Sequence, residues 1–138
     1  MSALADSALG LLIDIQDTLS AAPDLQSRLG DPVRVHDAAP ATPAYPYLTY
    51  GDLRTEARDA DGGAHRNTHR LTLHLWSRAG RMEVLRLLGR IQAVLERDLP
   101  HTVITLHADA FSAASGGRVR PDTRHGLLRL SIITETQI

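Results

Sequence analysis

The stretch from Arg70 to Leu99 constrains the fold most, because its apolar spacing changes from a strand period to a helix period. Leu71, Leu73 and Leu75 alternate with other side chains, which is typical of a half-buried strand. After a short turn the apolar spacing widens to three and four residues, which predicts a core-facing helix. Pro100 ends this helix, because the residue before a proline avoids helical backbone. The apolar positions of the predicted helix are Val84, Leu88, Ile91 and Leu95.

The rest of the chain supplies one more long helix and several strands. An apolar stripe predicts a first helix near residues 4–21, and residues 24–29 favour a short further turn of helix. Because hairpins join neighbouring strands, we expect a mostly antiparallel sheet of about five strands, with two main helices near 4–21 and 80–98 covering one face. This is an α+β fold, and residues 1–138 are expected to form a single domain. The strands are predicted over 33–36, 47–56, 70–76, 103–111 and 126–135.

Two polar segments containing glycine, 57–67 and 115–123, are predicted to be mobile hairpin tips. The first tip carries two aspartates, and the second begins a cluster of arginines. Since no aromatic residues interleave with these arginines, the cluster favours contact with an acidic protein surface over binding to DNA. An outward-facing tryptophan on the central strand also suits a protein interface. We expect six residues to contact protein partners: Trp76, Arg118, Arg120, Arg124, Asp59 and Asp61.

Composition narrows the class of protein further. The formal net charge is −1, so overall charge does not favour binding to nucleic acid or to a membrane. The chain has no cysteine, which excludes disulfides, thiol catalysis and zinc–thiolate sites. The N-terminal residues lack the basic start of a signal peptide, and no apolar run approaches the length of a membrane span. We therefore expect synthesis in the cytoplasm and no association with a membrane.

The histidines and serines do not form a recognisable catalytic pattern. His65, His69 and His74 are four and five residues apart, so they cannot all share one face of a strand, as converging metal ligands would require. His74 and His107 form the best remaining pair on the outer sheet face. Serines near Asp109 and Asp122 lack a nucleophile-elbow pattern. We expect no catalytic, cofactor or metal site, and a small metal-dependent hydrolase is the weaker alternative.

Four segments in the same order resemble a family of small tail-completion proteins of long-tailed phages, prophages and gene transfer agents. Their order along nearly the whole chain carries the likeness, and the most specific of them is the strand that ends in Leu-Trp-Ser-Arg before the amphipathic helix. The four segments are Ala22–Leu25 with Leu29–Gly30, Val33–Val35 leading to Pro46–Gly51, His69–Arg78, and Arg124–Gly126 running into Leu128–Leu130.

The resemblance implies a structural tail terminator. Such a protein forms a homohexameric ring on the head-proximal end of the tail tube, stops tube growth and joins the tube to a neck stopper or connector protein. DNA passes through the centre of the ring without sequence-specific binding. A neck stopper or adaptor of the same particle is the alternative that the sequence leaves open. The family pattern transfers no individual functional residue to this chain.

Overall fold

The structure, a computed structural model, describes residues 4–58, 64–115 and 118–137. Three helices and five strands follow one another in the order that the periodicity predicts, and the second helix is the short further turn expected over residues 24–29. That short helix begins at Pro23, a residue suited to the first turn of a helix. The elements are α1 (Leu4–Ser20), α2 (Pro23–Leu29), β1 (Val35–His36), β2 (Tyr47–Arg58), β3 (Ala64–Ser77), α3 (Arg81–Asp98), β4 (Thr102–Ser115) and β5 (Arg118–Gln137).

The five strands form one mixed sheet in the order β1-β2-β3-β5-β4. Only the short β1 pairs in parallel with its neighbour β2, and the other three pairings are antiparallel. The α+β class and the mostly antiparallel sheet are thus confirmed. A register shift between Tyr50 and Leu53 bends β2 at Gly51, as the glycine predicts.

The core lies between this sheet and the helices on one of its faces. The alternating leucines of β3 are fully buried, as are Leu128, Leu130 and Ile132 of β5 beside them. α1 and α3 lay their apolar stripes on this layer, which confirms that both main helices cover one face. Within the ranges that the structure describes, the helices lack the combination of length and apolarity that crossing a bilayer requires. Helix positions in this core include Leu11, Ile15 and Leu19 of α1 and Val84, Leu87, Leu88, Ile91, Val94 and Leu95 of α3.

The turn from β3 into α3 is held by a buried serine. The Ser77 hydroxyl donates a 2.7 Å hydrogen bond to Glu83 in the first turn of α3 and accepts one from the Ala79 amide at 3.0 Å. Glu83 also pairs with Arg28 of α2 at 3.3 Å. A carboxylate in the first helical turn is favourable because that end of the helix is positive. At the other end, Leu99 has the extended backbone (φ −70°, ψ 129°) that Pro100 demands.

The two hairpins are more regular than their composition predicts. Strand pairing continues to Arg58 in β2 and resumes at Ala64 in β3, so the expected tip over 57–67 is too wide. β5 begins at Arg118, which pairs with Ser115, so the expectation of a loop over 118–122 is wrong. Polar residues are typical of loops, but strand preference depends on the packing surroundings, and a solvated ladder accepts them.

These hairpins project from opposite ends of the sheet. At one end Arg58 pairs with Arg66, and the C-terminal part of β5 lies beside them. At the other end, where β3 finishes at Ser77 opposite Arg124, β4 and β5 continue together as a two-stranded arm. Pro121 lies in this arm, where only β4 flanks β5, which agrees with the confinement of proline to edge positions.

Candidate protein interface

A band of aromatic and histidine rings crosses the sheet face that no helix covers. The alternation that sends Leu75 into the core sends its neighbour Trp76 to this outer face, and the antiparallel registers bring further rings beside it. Tyr47 pairs with Trp76, Trp76 with His125, and His125 with Phe111. Every strand contributes at least one ring to the band: His36 from β1, Tyr47 from β2, Trp76 and His74 from β3, His125 from β5 and Phe111 from β4.

The centre of the band is a tight stack. The ring centroids of Trp76 and His125 are 4.0 Å apart and their planes differ by 9°. Phe111 meets His125 at 4.4 Å, and Tyr47 stacks against Trp76 at 6.4 Å. The indole nitrogen of Trp76 donates to Thr49 at 3.3 Å, which fixes the orientation of the ring. Cross-strand aromatic pairs of this kind stabilise a sheet and give it a rigid surface for contact.

Two histidines within the band share a hydrogen bond. His74 Nδ1 and His125 Nε2 are 2.6 Å apart, so one ring donates and the other accepts. If both rings were protonated, neither would offer an acceptor nitrogen, so the hydrogen bond disfavours protonation of the pair. Burial also disfavours the charged form of each ring. Burial, followed by the nearby His74, lowers the pKa of His125 to about 4. Burial also lowers the pKa of His74, because it and the smaller effect of Arg129 outweigh the opposing effect of Asp52. The face is therefore largely neutral at its centre.

The band continues onto the loop before β2. Tyr45 contacts Tyr47 edge-on with centroids 5.2 Å apart, and the Arg78 guanidinium lies 4.1 Å above the Tyr45 ring. The cation–π contact between Arg78 and Tyr45 ties the loop to the turn after β3. Burial of Tyr47, and secondly the nearby Tyr45, raise the pKa of Tyr47. Tyr47 is itself buried and joins the partly exposed Tyr45 and Trp76 into one packed cluster.

The structure separates the six predicted contact residues. Trp76 is at the centre of the band, but Arg124 is opposite the buried Ser77 and therefore on the helix-covered side of the sheet. Arg118 and Arg120 belong to the β4–β5 arm. Asp59 and Asp61 lie outside the described residues. The band and the arm are at the same end of the sheet, whereas the β2–β3 hairpin is at the other.

Two other histidines have roles that the sequence pattern missed. His69 is fully buried on the helix side, between Thr55 and Thr134, with 2.9 Å from a ring nitrogen to each hydroxyl. In the alternating pattern of β3, His69 falls on the same side as the buried leucines. This alternation could have predicted its burial from the sequence. His107 is on the same outer face as His74, but its ring approaches Asp109 at 3.1 Å while His74 pairs with His125. Among the described residues, no group of three or more His, Asp or Glu side chains converges on a possible metal position.

Comparisons with known proteins agree with this architecture. The family model described as "Tail completion protein gp17" matches residues 13–135. A chain from a solved structure titled "Virion of native gene transfer agent (GTA) particle" superposes with a TM-score of 0.72 at 20% identity, covering 99% of this chain and 100% of that one. That likeness shows that the two chains share a fold. No curated protein matches the sequence. Since the family model spans most of its length, the chain belongs to the tail completion protein gp17 family.

Proposed function

We propose that this protein is a tail terminator. It forms a homohexameric ring on the head-proximal end of a phage-like or gene transfer agent tail tube and joins that tube to the neck. DNA passes through the centre of the ring without sequence-specific recognition. Membership of a tail completion family supports the structural role. In this role the chain contributes contacts and no chemistry.

The observation that carries the proposal is the aromatic band on the uncovered sheet face. A band that reaches all five strands presents a rigid surface on which tryptophan, tyrosine and phenylalanine are concentrated, and these residues are enriched where proteins bind proteins. The charges on this face are mixed: Arg54 pairs with Glu56 at 2.9 Å and Arg66 with Glu135 at 3.1 Å. Such a surface suits a protein neighbour better than a nucleic-acid backbone, because binding to phosphates requires an excess of positive side chains.

The placement of the two hairpins supports an axial position between two partners. They leave the sheet at opposite ends, so one subunit can contact a neighbour on each side of a ring. The aromatic band lies at the end that carries the β4–β5 arm. We therefore assign that end to one axial partner, either the tube or the neck, and the β2–β3 hairpin to the other.

The test is a pair of substitutions at the centre of the band. Trp76→Ala removes the largest ring, and the matched control Trp76→Phe keeps an aromatic ring in the same place. Tails are purified from cells that produce particles with each variant as the sole copy, and their lengths are measured by negative-stain microscopy. We expect Trp76→Ala to give a broad length distribution and unjoined heads, with normal tails for Trp76→Phe.

The alternative neck position predicts a different result. Loss of a neck stopper leaves tail length controlled and prevents only the joining of heads. Uniform tails on Trp76→Ala particles that cannot join heads would therefore favour the neck role. Uniform tails on fully joined particles would contradict the proposed contact altogether.

A further inference from the structure

The solvent-exposed large apolar side chains of the described chain gather in three places: the outer side of α1, the start of α3, and the edge strand β4. Monomeric proteins scatter such residues singly, whereas clusters mark contact surfaces. Phe111 of the β4 group belongs to the aromatic band on the uncovered sheet face, so the α1 and α3 surfaces are the ones that lie on the helix side. The α1 surface consists of Leu4, Leu9 and Ile13, the α3 surface of Met82 and Leu85, and the β4 group of Ile104, Leu106 and Phe111.

The α1 surface contains a shallow groove with an acidic rim. Leu9 and Ile13, 58% and 52% exposed, line a groove of about 240 Å³ together with Leu12, Tyr50 and Asp37. The Tyr50 hydroxyl donates to the Leu12 carbonyl at 3.3 Å, which fixes one wall. α1 carries three aspartates and no basic residue.

The negative charge of this rim acts directly on the groove. Burial first, and then the carboxylates of Asp37 and Asp17, raise the pKa of Tyr50 to about 12. Asp37 also lines the groove, and Asp17 follows Ile13 by one helical turn, so both carboxylates lie beside its wall. A positively charged partner is the one that such a rim attracts.

The exposed side of α3 has the complementary character. Met82 and Leu85 are 74% and 50% exposed and protrude near the start of the helix. Arg81 and Arg86, both exposed, flank them. Leu85 shares a helical stripe with Glu96, which accepts a 2.8 Å hydrogen bond from Thr105 of β4, so this stripe points to the β4 edge.

The two surfaces lie at opposite edges of the subunit. The groove adjoins β1 and β2, and the Leu85 stripe adjoins β4, while β1 and β4 are the two outer strands of the sheet. With strands about 4.8 Å apart, four intervals separate these edges by roughly 19 Å. Pairing two grooves would bring aspartates together, and pairing two α3 surfaces would bring arginines together. Each surface therefore fits the other and does not fit itself.

We propose that the α1 groove of one subunit receives the Met82–Leu85 turn of α3 from the next copy of this chain. Arg81 and Arg86 then approach Asp17 and Asp37 across the contact. The pairing is heterologous, and its repetition around an axis closes a ring when the rotation permits. It rests on the proposed ring and identifies its subunit contact, leaving the uncovered sheet face and both hairpins for axial partners.

Cysteine cross-linking tests the pairing, since the native chain has no cysteine. Tails are assembled with Ile13→Cys/Leu85→Cys as the sole copy and treated with a short bis-maleimide linker. We expect a ladder of covalent oligomers that ends at the closed ring, and monomers only from either single variant. The matched control is Ile13→Cys/Ile104→Cys, which places the second thiol on the uncovered side of β4, opposite Ser131, and should give no ladder.

The outcomes separate this contact from the proposed function. Microscopy of the same tails shows whether a ring caps them. A ring present without cross-links from Ile13→Cys/Leu85→Cys would overturn the pairing and leave the terminator role standing. Cross-links from a single variant would show a two-fold contact and would also overturn it. Tails of wild-type length that carry no ring at their end would contradict the proposed function itself.

Charge reversal provides a second measurement that does not depend on linker reach. Arg81→Glu/Arg86→Glu should reduce the protein recovered on purified tails at least tenfold, because it brings like charges together. Adding Asp17→Arg/Asp37→Arg in the same chain should restore recovery to within about twofold of wild type. Restoration by Asp14→Arg instead would contradict the assignment, since Asp14 is bonded to His101 at 2.8 Å on the other side of α1.

Discussion

Gly126 of β5 lies directly beneath Val84 of α3: a Cβ added to the glycine would be 2.6 Å from Cγ1 of the valine. The missing side chain lets the first turns of α3 rest on the strand backbone. This close approach sets the position of the helix that follows the central strand.

We expect Gly126→Ala to destabilise the fold by about 1–3 kcal/mol, because the added methyl group forces α3 away from the sheet. Unfolding in urea measures the change. The matched control is Gly10→Ala on α1, where an added Cβ meets no atom within 4 Å. That control should stabilise the protein by roughly 1 kcal/mol through helix propensity. Equal stabilities for Gly126→Ala and wild type would show that α3 can shift at no cost.

The hydrogen-bonded histidine pair makes stability depend on pH. The pKa of His125 is lowered in the folded state to about 4 from its ordinary value of 6.5, so the unfolded chain binds the proton more readily between these values. The resulting stability is fully present above pH 7 and is lost as the pH falls toward 4.

We expect the free energy of unfolding to fall by about 1–2 kcal/mol more in wild type than in His125→Gln between pH 7 and pH 4.5. Urea titrations at several pH values measure this difference. Gly10→Ala is the control, since it should shift the whole profile without changing its slope. A wild-type profile parallel to that of His125→Gln would contradict the lowered pKa.

The buried His69 satisfies two hydroxyl groups at once. His69→Ala should cost about 3 kcal/mol, because it leaves a cavity and removes a hydrogen-bond partner from each of Thr55 and Thr134. Asp14→Asn, which weakens the half-exposed contact with His101, should cost under about 1 kcal/mol. Thermal unfolding ranks the two variants, and a cost for His69→Ala as small as that of Asp14→Asn would show that the network contributes little.

The β4–β5 arm provides a prediction at the level of the particle. Arg118→Ala/Arg120→Ala should leave the subunit folded, because β5 is held in the sheet well beyond the arm by its pairing with β3. Without the guanidinium groups the arm loses its attraction for carboxylates on an axial neighbour. We expect tails of uncontrolled length or tails that fail to join heads. Arg97→Ala, at the far end of α3 beside Asp98, is the control. Normal tails on infectious or transducing particles would refute a role for these two arginines.

The central unit could be predicted from sequence because each of its signals is local. The alternation of Leu71, Leu73 and Leu75, the helical stripe after it and Pro100 all act within a few residues, and the structure places them as expected. Local signals also located the bend at Gly51. These features need no knowledge of which strands pair.

The candidate interface could be predicted only in part, because strand register decides it. Trp76 was expected to face outward, but its contact with His125 joins residues 49 positions apart through the pairing of β3 and β5. Arg124 was grouped with the arm arginines by sequence proximity, although it shares the parity of the buried Leu128 and so lies on the helix side. Applying the strand period from Leu128 backward would have separated Arg124 from the uncovered face.

The two hairpins at opposite ends have a mechanical consequence. β5 pairs with β3 from Arg124 to Gln137 and with β4 from Arg118 to Ile133, so the two ladders overlap along most of the strand. Ladder hydrogen bonds run perpendicular to the strands, so a pull between the two hairpins loads many of them together in shear. A force that peeled one edge strand away would instead break them one at a time. A subunit pulled between its two hairpins therefore resists extension as one stiff unit.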